Sequence, residues 1–265
     1  MNRRPIGVFD SGVGGLTVAR ALAKALPNED IIYLGDTARV PYGTKSKETV
    51  TRFALECMDF LGKFNVKLAV MACNTASSWS LETVREKFDF PVIGVIGPGV
   101  AEACGKTRNK RVGVIGTRAT ITSGSYPRGI RKLDKSIKVY QKACPLFVSL
   151  VEENWLNGRI TRDVAARYLE TMRRRGIDTL ILGCTHYPLL KSVVKKIFSK
   201  RITIIDSSLS VSKEVKAFIR GNGLANRTGR KGGIRFFVTD DPAAFRRVSG
   251  IFLKKNILVK KVDIT

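Results

Sequence analysis

The chain has 265 residues, 44% of them hydrophobic, and carries 47 Lys and Arg against 22 Asp and Glu, a formal net charge of +25. That length holds one large domain or two modest ones, and the composition is globular, neither fibrous nor disordered. Five cysteines (57, 73, 104, 144 and 184) without a Cys-x-x-Cys, together with a single histidine, argue against a disulfide framework and against a metal site.

The amino terminus runs straight into the strand-like Ile6-Gly7-Val8-Phe9. It lacks a secretory apolar region, and no later stretch reaches a membrane-spanning length, so no membrane association and a cytoplasmic location are expected. Strand-like runs follow at 5–10, 31–35, 67–72, 91–95, 111–116, 137–140, 178–182, 202–205 and 234–239. Helical periodicity fills 45–65, 76–88, 161–174, 188–198, 209–220 and 242–254. Alternation of this kind predicts an α/β fold of doubly wound parallel sheets.

The pattern also repeats. Ile6-Gly7-Val8-Phe9-Asp10-Ser11 is echoed 106 residues later by Val112-Gly113-Val114-Ile115-Gly116-Thr117, and Cys73 is echoed 111 residues later by Cys184. Two landmarks in one order at nearly one spacing predict two similar domains related by internal duplication. The Gly- and Pro-containing stretch 94–99 reads as the crossover. The expected division is 1–97 plus 208–265 for the first domain and 98–207 for the second, with the active site in the cleft between them.

Cys73 closes the apolar run Leu68-Ala69-Val70-Met71-Ala72, and Cys184 closes Thr179-Leu180-Ile181-Leu182-Gly183. Open parallel sheets bind ligands beyond the carboxyl ends of their strands. Two thiols at two such ends therefore read as paired acid/base groups facing one substrate. Asn74-Thr75 and Thr185-His186 supply donors beside them, and a helix beginning at either cysteine, with Pro188 in the first turn of the second, lowers a thiol pKa. His186 is placed to set the protonation of Cys184. Asp10-Ser11-Gly12-Val13-Gly14-Gly15 forms a Gly-rich strand-to-helix turn that suits a phosphate or a carboxylate, and Asp10 there either serves the site or caps the helix. Cys57, Cys104 and Cys144 read as buried, inert thiols.

The segments Asp10–Leu16, Tyr33-Leu34-Gly35-Asp36 with Pro41-Tyr42-Gly43, Ala72–Thr75 and Gly183–Pro188 together resemble bacterial glutamate racemase, of the aspartate/glutamate racemase family. The resemblance spans nearly the whole chain with its blocks in order. It implies cofactor-independent conversion of L-glutamate to D-glutamate for peptidoglycan synthesis, with Cys73 and Cys184 catalytic. It implies auxiliary roles for Asp10, Asp36, Glu152 and His186, the third position falling on Glu152 or its neighbour Glu153. Substrate contacts are implied for Asp10, Ser11, Tyr42, Gly43, Asn74, Thr75, Thr185 and His186, and the protein is expected to be a homodimer. An aspartate racemase or another two-cysteine racemase of the same family is the alternative. A thiol–disulfide enzyme and a basic nucleic-acid-binding protein are the rivals from other classes. The basic residues are scattered over helix faces without interleaved aromatics, so dedicated nucleic-acid binding is not expected.

Overall fold

The computed structural model describes residues 3–198, 202–254 and 256–264. Strand and helix alternate from the start: β1 (Ile6–Asp10), α1 (Leu16–Ala25), β2 (Ile31–Gly35), α2 (Lys47–Gly62), β3 (Leu68–Met71), α3 (Asn74–Lys87), β4 (Val92–Gly94) and α4 (Ile96–Lys106). The pattern resumes with β5 (Arg111–Gly116), α5 (Arg118–Thr122), α6 (Ser125–Leu133), β6 (Lys138–Ala143), α7 (Leu146–Glu152) and α8 (Arg159–Arg174). It closes with β7 (Thr179–Gly183), α9 (Lys191–Ile197), β8 (Thr203–Asp206), α10 (Ser207–Gly221), β9 (Ile234–Val238), α11 (Pro242–Leu253) and β10 (Val259–Lys261).

These strands form two parallel sheets, in the orders β10-β9-β2-β1-β3-β4 and β6-β5-β7-β8. The run β2-β1-β3-β4 has the same order as β6-β5-β7-β8, so β1 corresponds to β5 and β3 to β7. Cys73 and Cys184 therefore follow equivalent strands. The central strands β1, β2, β3 and β7 are buried at every residue. Apolar runs without alternation are what a sheet covered on both faces requires. The edge strand β6 is half exposed along its length. Among the helices, α8 buries Thr161, Ala165, Leu169 and Met172, one stripe at helical spacing, and turns its arginines outward.

The stretch 94–99, where the chain leaves the first sheet for the second, is the end of β4 and the first turn of α4, so it is ordered as a strand end and a helix start, and Pro98 is tolerated because the first-turn N–H has no partner within the helix. Several expectations need correction. The helix expected from 188 opens instead as a one-turn 3₁₀ helix, Tyr187–Leu190, before α9. β10 was not foreseen, because Val259-Lys260-Lys261 is a largely exposed edge segment without an apolar run. Cys57 and Cys144 are buried, but Cys104 is half-buried. It sits at the margin of α4, beside the buried Val100 and Ala103 and only partly covered by that core. Among the described residues, no helix is long and apolar enough to cross a membrane.

Candidate active site

The carboxyl ends of β1, β3 and β7 converge on one cavity of about 40 Å³. Ser11, Tyr42, Gly43, Cys73, Asn74, Thr75, Cys184, Thr185 and His186 all line it. A crevice of about 580 Å³ lies elsewhere, along α3, α4 and α6, so it is chemistry and not size that marks the smaller cavity.

Cys73 occupies the residue before α3, with an extended backbone, and its Sγ donates to Ser11 Oγ at 3.5 Å. The expected lowering of its pKa by the helix N-terminus is overturned. Burial pushes the thiol up to about 12, and the nearby Asp10 carboxylate adds to the shift. A few partial charges at a helix end do not offset removal from water next to an anion.

Asp10 is fully buried at the end of β1. It does not cap α1, whose N-cap position is Gly15. Its carboxylate instead fastens the turn, accepting from Gly12 N at 3.0 Å, and it reaches the other sheet's end by accepting from Thr185 Oγ1 at 3.4 Å. Burial raises its pKa against the opposing pull of His186 and these hydrogen bonds. Gly14 is required at this meeting point, because a side chain there would run into Thr185 Oγ1 and His186 Nδ1.

On the opposite wall, Cys184 Sγ lies 3.8 Å from His186 Nδ1, and His186 Nε2 lies 2.9 Å from Glu152 Oε1. Burial disfavours charge on His186. The hydrogen bonds and charges of Cys184 and Glu152 override this and hold its pKa up at about 10. Of the two neighbouring acids, Glu152 meets the imidazole, while Glu153 is exposed.

Asp36 is buried but does not line the cavity. It accepts from the Tyr42 hydroxyl, from Arg39 Nε at 2.7 Å and from Thr239 Oγ1 at 2.9 Å, so it stands behind Tyr42. Thr117 and Val148 line the cavity and were not expected there. Thr117 was findable, since it follows β5 as Ser11 follows β1. Val148 gave no signal. Among the described residues, no group of three or more His, Cys, Asp or Glu side chains is placed to hold a metal ion.

The family model for Asp/Glu/hydantoin racemases matches residues 6–211. The chain belongs to this racemase family. It is 49% identical over 250 residues to a glutamate racemase of Geobacter metallireducens, covering 94% of this chain and 93% of that protein. It is 50% identical over 260 residues to one of Persephonella marina, covering 98% and 97%. The crystal structure of a Bacillus anthracis glutamate racemase superposes with a TM-score of 0.96 at 39% identity, covering 99% of this chain and 98% of that one. A Francisella tularensis glutamate racemase in complex with D-glutamate gives 0.93 at 44% identity, covering 100% and 99%. Membership of the racemase family makes the protein an isomerase.

Proposed function

We propose that this racemase interconverts L- and D-glutamate without an added cofactor, using Cys73 and Cys184 as acid and base on opposite faces of the α-carbon. The carrying observation is that the two cysteines, at the ends of equivalent strands, line one cavity with a shared set of hydrogen-bond donors. The glutamate racemases at 49% and 50% identity, and the D-glutamate complex at 44%, support the choice of substrate.

From L-glutamate, Cys184 as thiolate takes the α-proton, and the electron pair stays on carbon. Cys73 as thiol returns a proton to the other face, leaving D-glutamate, a neutral Cys184 and an ionised Cys73. The reverse direction runs from that state. The asymmetry of the site fits this order: burial and Asp10 keep Cys73 protonated, while an imidazolium at His186 faces Cys184. The carbanion needs donors aimed at the α-carboxylate in a site that excludes water. Ser11, Thr75 and Thr185 and the N-terminus of α3 are suited to that task. Asn74 Oδ1 is buried and has no hydrogen-bond partner among the described residues, which suits it to accept from the substrate ammonium. A cavity of about 40 Å³ has room for only about three waters, so its walls must part to admit glutamate.

Supply of D-glutamate for peptidoglycan synthesis, a homodimeric state and a cytoplasmic location belong to the same proposal. Chiral chromatography of the purified protein with L-glutamate and no cofactor tests it. The expected result is an equal mixture of enantiomers from glutamate and little turnover of L-aspartate. Turnover of aspartate alone, a parent enzyme without glutamate turnover, or full turnover by Cys73→Ser or Cys184→Ser contradicts it.

A further inference from the structure

Tyr126, on α6, is fully buried and takes no part in the chemistry above, yet it touches the neighbours of both cysteines. Asn74, the residue after Cys73, donates from Nδ2 to the Tyr126 hydroxyl at 2.8 Å. That hydroxyl lies 3.4 Å from Ser207 Oγ, and Ser207 Oγ donates to the carbonyl of Leu182 at 3.0 Å. Leu182 is two residues before Cys184. With the Asn74 amide and Ser207 committed in this sense, the one phenol proton points to Ser207, and every link runs one way: Asn74 to Tyr126 to Ser207 to Leu182. The tyrosine ring, meanwhile, lies over Gly183, where an added Cβ would come within 3.1 Å of Cε2.

We propose that Tyr126 is a positioning residue of the racemase site, tying the start of α3 to the end of β7 and fixing the Asn74 amide with Oδ1 as its free end. The proposal rests on the glutamate reading above. The chemistry follows from the amide's two ends. With Nδ2 held by Tyr126, the end left over in a cavity-lining residue is an acceptor, which a substrate ammonium can use. Without the phenol oxygen the amide is free to turn, and a donor then meets the ammonium. The phenol stays protonated at any working pH, because burial raises its pKa to about 12, so the link does not depend on titration. Ser207, the first residue of α10, is 3% exposed and Asn74 is 2% exposed, so both bonds are shielded from bulk water.

The test is a double-mutant cycle in steady-state racemisation, with Tyr126→Phe, Asn74→Ala and the pair, each checked by thermal melting. Tyr126→Phe keeps the ring on Gly183 and removes only the hydroxyl. Each single change is expected to lower kcat/KM by about tenfold to a hundredfold, carried mainly by KM, since the ammonium is held alike in ground and transition states. The double variant is expected to be no worse than Asn74→Ala, because the hydroxyl acts through that amide. Losses that multiply, or a Tyr126→Phe enzyme with full activity, overturn the proposal. Should Tyr126→Phe fail to fold, Ser207→Ala takes its place: it drops the onward link alone and is expected to cost less, again without compounding Asn74→Ala. A parent enzyme without glutamate turnover overturns the glutamate reading itself, whereas turnover with multiplying losses overturns only the role of Tyr126.

Discussion

Glu152 Oε1 stands 2.9 Å from Nε2 of His186, and the other nitrogen of that ring faces Cys184 Sγ at 3.8 Å. A carboxylate at one end of an imidazole and a sulfur at the other favour the doubly protonated ring, and so place a positive charge beside the sulfur proposed to take the proton from L-glutamate.

His186→Asn is therefore expected to lower kcat for the L-to-D direction by about tenfold to a hundredfold, the size of a lost charged hydrogen bond. The equilibrium constant between mirror-image substrates is one, so kcat/KM must fall equally in both directions, while the two kcat values are free to diverge. Initial rates in both directions over a range of substrate concentrations check this. A change confined to KM would reduce His186 to a binding residue.

The same pair sets a pH dependence of stability. The folded pKa of about 10 lies above the usual histidine value of about 6.5. The stabilisation from His186 is thus complete below pH ~6.5 and is lost as the pH rises through about 10. Denaturant unfolding of the parent and of His186→Asn between pH 6 and 10 should give a stability difference that shrinks with rising pH. A constant difference contradicts the raised pKa.

Asp10 raises the pKa of Cys73, so Asp10→Asn should make that thiol more reactive. Peptide mapping after brief iodoacetamide treatment at pH 8 is expected to show slow labelling of Cys73 in the parent and faster labelling in Asp10→Asn. Equal rates would mean that access alone limits the reaction.

Much of this arrangement was legible in the sequence. The strands at 31–35 and 111–116 announce themselves as apolar runs bounded by turns, and the two cysteine segments declare their equivalence through shared wording. What the sequence withheld depends on distance across the fold. Whether Glu152 or Glu153 meets His186 is decided by the last turn of α7, and the upward shift of Cys73 by burial beside Asp10, which competes with a helix end visible in sequence. Asp36 is readable as part of a motif, but only the structure puts it behind Tyr42. Tyr126 lies 52 residues from Asn74 and 81 from Ser207, and no local pattern connects them.

Gly183 tests the packing of β7 against β5 on the Cys184 side of the site. A Cβ there would lie 2.7 Å from the Ile115 carbonyl oxygen of the neighbouring strand, and backbone cannot swing aside as a side chain can. Gly183→Ala is expected to destabilise the protein by about 1–3 kcal/mol, read as a lower denaturant midpoint, and to slow racemisation by displacing Cys184. An unchanged midpoint contradicts this packing.

The two-thiol mechanism is tested most directly by isotope uptake during the first few per cent of reaction with L-glutamate in heavy water, the enantiomers being separated before mass spectrometry. Opposed cysteines predict solvent deuterium in nearly all of the new D-glutamate, while the remaining L-glutamate stays protiated, because the group that takes the proton is not the group that returns one. Deuterium entering unreacted L-glutamate as fast as it enters product would contradict the account and indicate a single exchanging base.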